Sequence, residues 1–195
     1  MASAPAAPPD DPARVLLVLD AQHAYLADPP LGVPAARTVS ANILRVLEHA
    51  RAQAPPPRIV HVRNAGESGE ADEPHTPGWQ LVFAPRPHEP VLDKTKNNAF
   101  EGTRLAELVP PDADLVVIGI QSDFCVRATC SAALARGNNV VLVRGAHGTY
   151  DRNETWAGGT VTPAKQVEEE IEAELEEAGV VLLEMHELSE LFAAR

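Results

Sequence analysis

Residues 115–137 read LVVIGIQSDFCVRATCSAALARG, and this stretch indicates the fold. Its first six residues, Leu115 to Ile120, are too continuously apolar for a strand with one face in water, which favours a parallel strand covered on both faces. After a short polar turn, apolar residues recur at helical spacing from Val126 to Leu134, and Gly137 supplies a stop for the helix. A buried strand that leads into a helix is typical of an α/β protein.

The same alternation of short apolar runs and longer helical patterns continues along the chain, as in a series of βαβ units. The predicted strands are Val15 to Leu19, Arg58 to Arg63, Val91 to Asp93, Leu115 to Ile120, Asn139 to Arg144 and Val180 to Glu184. Two further helical stripes centre on Ile43 and Ile171, and the second is expected to begin with Thr162 as N-cap and Pro163 at the first helical position. No repeat or linker divides the sequence, so we expect one domain over residues 14–195.

Composition excludes several classes of protein. The chain has 195 residues, of which 45% are hydrophobic and 23% charged, as expected of a globular protein. Its net charge of −12 argues against binding to nucleic acid or to an anionic membrane surface. The longest apolar runs are too short to cross a bilayer. Residues 1–13 lack the pattern of a signal peptide and are expected to form a disordered tail, whereas the acidic residues from Glu168 to Glu190 are interpreted as a solvated helix face.

The two cysteines, Cys125 and Cys130, lie on the same predicted helix. The axial rise alone separates them by ~7.5 Å, so a disulfide between them is not expected. The sequence has no CxxC pair and no paired histidine spacing that would complete a zinc site. A reduced, cytoplasmic chain is the expectation.

Three reactive side chains stand at the carboxyl ends of predicted strands, where parallel sheets form their ligand crevice. Asp20 follows the first strand, Lys94 the third, and Cys125 the fourth. Singly, each has an ordinary explanation as turn residue, solvated cation or packed thiol. Together they indicate a nucleophilic sulfur that a helix N-terminus and an ammonium would favour as thiolate, beside a carboxylate that accepts and returns a proton. Cys130 lies deeper on the apolar stripe and is expected only to pack the core.

Three segments of the sequence carry a family resemblance: VLLVLDAQHAY, VLDKTKNNAFEGTRL and LVVIGIQSDFCVRATCSAALARG. They resemble the signature segments of the isochorismatase-like cysteine hydrolases, a superfamily that includes nicotinamidases and carbamoyl amidases. The resemblance implies a three-layer αβα, Rossmann-like fold with a six-stranded, mostly parallel sheet. It implies Asp20 as general base and acid, Cys125 as nucleophile, and Lys94 as the cation between them. The lysine is Lys94 rather than Lys96, because the family's lysine stands five residues before the Ala of a Ser-Ala-Phe element, which corresponds to Ala99 here.

The resemblance also implies a cis peptide bond between Ile120 and Gln121 and an oxyanion hole formed by the backbone N–H groups of Gln121 and Cys125. Two positions depart from the family pattern. Ser122 stands where the family usually has Thr, and Asn98 replaces the Ser of the Ser-Ala-Phe element. Both keep a polar group, and Asn98 is expected to alter what the pocket accepts.

A metal site is not expected. Nicotinamidases in this superfamily hold a metal through an Asp-x-His element and further histidines, and the corresponding stretch HVRNAGESGEADEPH has no Asp-x-His. We therefore expect no metal on His61, His75 or His88, and no cofactor. True isochorismatases cleave an enol ether and typically lack the cysteine nucleophile, so Cys125 favours an amide or related bond as the target.

The pocket is expected to be lined by side chains near these strand ends. The predicted substrate-binding residues are Gln22, Tyr25, Trp79, Phe100 and Phe124, with His23 as a polar neighbour. Trp79 is favoured as a wall because it lies in the segment from Asn64 to Pro90, which is too long for an idle connection. For the other large side chains, packing in the core is an equal alternative. Residues His147 to Asp151 are expected to take a turn or supporting role beside the same crevice.

We therefore expect a hydrolase of a small amide or carbamoyl compound that works through a thioester. Two alternatives stay open: an isochorismatase-type enol-ether hydrolase, and an inactive relative that serves as a binding or scaffold protein. A redox-sensing thiol is disfavoured because no resolving cysteine is evident. The resemblance further implies a homo-oligomer, a dimer or tetramer, since such hydrolases often complete the pocket from a neighbouring chain.

Overall fold

A six-stranded sheet forms the centre of the molecule in the computed structural model, which describes residues 14–155 and 158–192. The described strands are β1 Arg14–Leu19, β2 Arg58–Asn64, β3 Val91–Lys94, β4 Asp114–Ile120, β5 Asn139–Gly148, β6 Arg152–Glu154, β7 Thr160–Thr162 and β8 Val181–Leu183. The order in the sheet is β3-β2-β1-β4-β5-β8, and each pair of neighbours is parallel. The predicted tail, residues 1–13, lies outside the described residues.

Helices cover both faces of the sheet. They are α1 His23–Leu26, α2 Ala36–Arg51, α3 Leu105–Leu108, α4 Arg127–Arg136 and α5 Ala164–Ala178, with a π-helical turn over Ser122–Val126 and a 3-10 helix over Met185–Glu190. The buried stripes of α4 and α5 pack on one face and that of α2 on the other. This is the three-layer αβα fold that the sequence predicts. No helix in the described part of the chain combines the length and apolarity needed to cross a membrane.

The continuous apolar strands exist because both faces of the sheet are buried. In β1, Val15, Leu17 and Leu19 pack into the core below α4 and α5, whereas Leu16 and Val18 pack into the core below α2. All five of these side chains are fully buried. Alternate residues of one strand therefore stabilise opposite layers, each by about 1.5–3 kcal/mol of transfer free energy.

The structure differs from the sequence prediction at the edges of elements. Strand β5 runs to Gly148, past a register shift opposite Val117 and Gly119, whereas the prediction ends it at Arg144. The antiparallel pair β6 and β7 was not predicted, because three-residue strands carry too little periodicity.

The beginning of α5 also departs from the prediction. The prediction of Thr162 as N-cap is wrong by one residue: Pro163 is the cap, and Asp151 Oδ1 accepts the N–H of Ala164 at 2.8 Å. The Thr162 hydroxyl donates instead to Glu154. A carboxylate from a distant turn therefore satisfies the helix start, which local sequence cannot reveal.

The acidic face of α5 is mostly solvated, as predicted, with one exception. Glu172 is buried and lies 3.0 Å from the guanidinium of Arg144 and 3.2 Å from His147 Nε2. Interpreting this residue as part of a solvated face is wrong, because both of its partners come from β5, which the helical pattern alone does not place.

Candidate active site

The three side chains at the strand ends meet in one buried cluster. Lys94 Nζ lies 2.8 Å from Asp20 Oδ2 and 3.1 Å from Cys125 Sγ. Only 2% of Asp20, 2% of Lys94 and 8% of Cys125 is exposed to solvent. Asp20 follows β1 and Cys125 follows β4, and these two strands are neighbours. Lys94 ends β3, which β2 separates from β1, so its long side chain has to reach past β2 to the other two residues.

The backbone at the end of β1 turns the Asp20 side chain toward this cluster. Asp20 has a φ of 49°, in the left-handed region that a short polar residue tolerates, and its N–H donates to the carbonyl of Val62 at 2.9 Å. In β4, Gly119 has a φ of 126°, and a Cβ there would overlap the carbonyl oxygen of Leu19. Only glycine therefore allows β4 to approach β1 this closely before the turn that carries Cys125.

The π-helical turn that holds Cys125 is tied to the end of β5. Ser122 Oγ lies 2.9 Å from His147 Nδ1, and the Thr149 hydroxyl donates to Asp123 Oδ1 at 2.5 Å. These contacts come from the segment predicted to support the crevice. The Ile120–Gln121 peptide bond is cis, at the position that the resemblance implied.

The electrostatics of the cluster favour a neutral sulfur. Burial raises the pKa of the Cys125 thiol to about 12, with the Asp20 charge acting in the same direction and Lys94 opposing it. Burial also raises the pKa of Asp20 against the opposing effect of Lys94. Burial lowers the pKa of Lys94, but its interactions with Asp20 and Cys125 outweigh that effect and leave the pKa above its ordinary value. These directions favour a protonated thiol beside a carboxylate that is more basic than an ordinary one.

Alkylation by iodoacetamide tests this electrostatic picture. We expect the alkylation rate of Cys125 to rise with pH through pH 10 without a plateau, because the thiolate is the reacting form and the thiol pKa is about 12. Trypsin separates the two cysteines into residues 105–127 and 128–136, so mass spectrometry follows both in one sample. Cys130, which is fully buried, is the internal control and reacts more slowly. If the alkylation rate of Cys125 reaches a plateau at or below pH 8, the raised pKa of its thiol is contradicted.

Two of the predicted substrate-binding residues, Gln22 and Trp79, are buried. Gln22 is fully buried, and its Nε2 donates to the carbonyls of Asn64 and Trp79 while its Oε1 accepts the Asn64 N–H. This amide braces the long loop, residues 64–90, and a contact between Gln22 and substrate stays a prediction. Trp79 is 9% exposed, with the Arg63 guanidinium 3.5 Å and the His75 ring centre 5.2 Å from its ring centre. Its buried Nε1 has no hydrogen-bond partner among the described residues.

The other three predicted residues lie in different surroundings. The Tyr25 hydroxyl donates to Asp72 Oδ2 at 2.6 Å. Phe100 packs against the core below α4, with the Arg136 guanidinium over its ring. Phe124 precedes the cysteine and is 50% exposed. A role for these residues in substrate binding stays a prediction.

A cavity of about 560 Å³ opens on the His23 side of α1. Its lining residues are His23, Ala24, Ala27, Leu31, Ala71, Pro77, Gly78 and Gln80. One wall of the cavity is the segment that follows β1, and the other is the middle of the long loop. Asp20, Lys94 and Cys125 are not among the lining residues, so the cavity stands apart from the buried cluster.

The histidines considered as metal ligands have other roles or stand apart. His61 Nε2 lies 3.0 Å from Glu89 Oε2, and Arg51 pairs with the same carboxylate at 2.5 Å. His75 packs on Trp79, and His88 lines a separate cavity between α2 and the loop. Within residues 14–155 and 158–192, no three metal-ligating side chains are grouped for a cation.

Glu89 and its partners pin the end of the long loop to α2, and neutralising Glu89 should weaken the fold. Hydrogen bonds from Arg51 and His61 hold the pKa of Glu89 well below its ordinary value, although burial opposes them. We expect Glu89→Gln to lower the free energy of unfolding by about 3 kcal/mol in urea titrations at neutral pH, because it leaves Arg51 without its buried partner. A depressed carboxyl pKa stabilises the folded state above the ordinary value of 4.5, so the deficit shrinks as the pH falls below it.

The exposed Glu48 on α2 offers a matched control, and Glu48→Gln should change stability by less than about 0.5 kcal/mol. Equal effects of the two substitutions contradict a pinning role for Glu89.

Sequence reasoning missed three polar residues of the cluster. Asn64 Oδ1 accepts a hydrogen bond from Lys94 at 3.1 Å, and Asn64 Nδ2 donates to the buried Asp72 at 2.6 Å. Asn97 is exposed, and its Oδ1 lies 3.8 Å from Cys125 Sγ. Asn98, which the sequence predicts to alter the pocket, accepts the N–H of Phe100 with its Oδ1 and thus shapes a turn. The available signal is position, because Asn64 directly follows a predicted strand, as Asp20 and Lys94 do.

Comparison with protein families matches residues 14–167 to the isochorismatase domain. Among characterised sequences, a streptothricin hydrolase from Streptomyces noursei is 40% identical over 153 residues, which cover 76% of this chain and 60% of that protein. A second streptothricin hydrolase from the same organism is 39% identical over 142 residues, which cover 71% of this chain and 50% of that protein. The chain thus spans about half to three-fifths of the length of these curated relatives.

Solved structures share the fold over nearly the whole chain. An isochorismatase from Pseudomonas putida is 31% identical with a TM-score of 0.78, and the match covers 92% of each chain. A protein assigned to the isochorismatase family from Chromobacterium violaceum is 29% identical with a TM-score of 0.79, and the match covers 97% of this chain and 98% of that one.

Proposed function

The chain belongs to the isochorismatase family, and from this premise and the geometry of the site we propose that it is a cysteine-dependent hydrolase of a small amide or carbamoyl compound. The observation that carries the proposal is the position of Lys94 Nζ, 2.8 Å from Asp20 Oδ2 and 3.1 Å from Cys125 Sγ in a buried cluster. A carboxylate, an ammonium and a thiol at these distances suit nucleophilic attack on a carbonyl with a local proton acceptor.

The first half of the reaction forms a thioester. Asp20 takes the thiol proton as Cys125 Sγ bonds to the substrate carbonyl carbon, and the carbonyl π electrons move onto oxygen. Asp20 Oδ1 supports this role, because it is buried and has no hydrogen-bond partner among the described residues. We assign the backbone N–H groups of Gln121 and Cys125 to the oxyanion, and each such donor contributes about 3 kcal/mol of transition-state stabilisation. The C–N bond then breaks, and the amine departs with the proton from Asp20.

The second half releases the acid. Asp20 accepts a proton from water as the water oxygen attacks the thioester carbonyl, and the C–S bond breaks. The sulfur regains its proton from Asp20, which returns the site to its starting state. The raised pKa of Asp20 suits this alternation, because the carboxylate is a stronger base than an ordinary one. Throughout, Lys94 keeps a positive charge beside both groups.

The relatives provide the first substrate to test. Two proteins about 40% identical to this chain are named streptothricin hydrolases, so streptothricin heads the panel, followed by small primary amides and carbamoyl compounds. The assay measures loss of substrate and gain of carboxylic acid by mass spectrometry, with ammonia release as a second readout. Hydrolysis of an amide with a transient thioester on residues 105–127 supports the proposal. Hydrolysis of an enol ether alone, or no turnover of the whole panel, overturns it.

A further inference from the structure

The three N–H bonds of the Lys94 ammonium each have a partner. Two point to Asp20 and Cys125, and the third donates to Asn64 Oδ1 at 3.1 Å. A lysine ammonium has three donors and no acceptor, so this set fixes its orientation. If the third partner is lost, the ammonium is free to rotate and shift away from the sulfur.

The orientation of the Asn64 amide in turn depends on Asp72. An amide presents oxygen on one side and nitrogen on the other, and a flip exchanges them. Asp72 Oδ2 lies 2.6 Å from Asn64 Nδ2 and, as a carboxylate oxygen, only accepts hydrogen bonds. The amide nitrogen must therefore face Asp72, which leaves the amide oxygen toward Lys94.

The long loop is built to return Asp72 to this position. The Gly66 N–H donates to the Asp72 carbonyl at 3.1 Å, and a Cβ on Gly66 would overlap the Asp72 carboxylate. The same carboxylate accepts the Tyr25 hydroxyl at 2.6 Å, and only 4% of Asp72 is exposed. The fold therefore holds this buried carboxylate in a defined position, with two short hydrogen bonds and with space that only a glycine at position 66 leaves for it. The proposed reaction does not use the carboxylate directly.

We propose that Asp72 is a positioning residue, which orients the Asn64 amide so that it takes the third proton of Lys94 and holds the ammonium between Asp20 and Cys125. This inference rests on the proposed function. The side-chain hydrogen bonds of Asp72 go to Tyr25 and Asn64, so its hydrogen-bonded route to the ammonium runs through Asn64, and its charge adds a weaker direct effect that raises the pKa of Asp20. The consequence is that a residue of the loop controls the chemistry at the strand ends.

The test is a double-mutant cycle on the best amide of the panel. We expect Asp72→Asn to lower kcat about tenfold while KM changes less than about twofold, a loss typical of the outer partners that orient functional side chains. In an Asn64→Ala background, the same change should have no further effect, because the intermediary is already gone. A merely structural role predicts additive losses in both backgrounds. Glu73→Gln, which neutralises the next carboxylate in the same loop, should leave kcat unchanged.

A second arm needs no substrate. Lys94 lowers the pKa of Cys125, so a displaced ammonium makes the thiolate rarer and slows alkylation. We expect Asp72→Asn to slow iodoacetamide labelling of Cys125 at pH 9 by about threefold, the equivalent of half a pKa unit, with labelling of Cys130 and of the Glu73→Gln variant unchanged.

The two arms separate the two proposals. Unchanged kcat and unchanged labelling in Asp72→Asn overturn the positioning role and leave the hydrolase standing. If no amide is turned over but labelling slows as described, the positioning role survives and the proposed function fails.

Discussion

Replacing Cys125 with alanine is expected to reduce amide turnover by at least about 10⁴-fold, the size of loss seen when a covalent nucleophile is removed. The sulfur is the atom that the thioester requires, and no other described thiol approaches Asp20 or Lys94. The measurement is steady-state hydrolysis of the best amide, with circular dichroism to show that the fold persists. Amide turnover that survives in Cys125→Ala contradicts the thioester and means that water attacks without a covalent step.

The chain contains its own control for this substitution. Cys130→Ala also removes a buried sulfur, five residues farther along and inside the core below α4 and α5. We expect this variant to lose about 1 kcal/mol of stability from the smaller side chain and to keep its turnover. Comparable loss of activity in both variants contradicts a specific role for Cys125.

Replacing Lys94 with methionine is expected to damage both activity and stability. Turnover should fall about 10³-fold, because no cation remains beside the carboxylate and the sulfur. The free energy of unfolding should fall by about 3–5 kcal/mol at pH 8, because Asp20 is left buried without its partner. Urea titrations and amide hydrolysis measure the two losses in the same preparation.

The pH dependence of the Lys94→Met deficit has a defined sign. Burial already raises the pKa of Asp20, and removing Lys94 takes away the strongest effect that opposes it. A carboxyl whose folded pKa is raised loses stability as the pH rises through that value and regains it on acidification. The deficit should therefore shrink from pH 8 toward pH 5. Lys96→Met, which removes an exposed cation two residues away, should change neither measurement; an equal deficit in that variant contradicts the assignment.

The proposed chemistry explains why Asp20 and Lys94 are buried together. A buried carboxylate alone is costly, and so is a buried ammonium, but at 2.8 Å each reduces the cost of the other. The pair keeps a basic oxygen out of water beside a neutral thiol. Contact with water would lower the pKa of Asp20 and weaken it as a base. The burial of Asp20 therefore serves the proposed chemistry as well as the stability of the fold.

Much of the layer structure is predictable from local periodicity. Apolar runs such as Val15 to Leu19 and Leu115 to Ile120 became central strands, and helical stripes became the buried faces of α2, α4 and α5. The ends of the strands are predictable in the same way, because a polar residue directly after an apolar run marks the place where the strand leaves the core. The Ile120–Gln121 cis bond was expected only through the family resemblance, not from periodicity.

Local sequence pattern is enough to predict the parallel sheet and the three reactive groups at its carboxyl edge, because strand and helix periods are properties of neighbouring residues. The folded chain is needed to see that Lys94 reaches across β2, that Asn64 and Asp72 complete its surroundings, and that burial raises the pKa of the Cys125 thiol. Burial and hydrogen bonds between distant segments set those features. Both depend on how the whole chain folds, which a local pattern of residues does not predict.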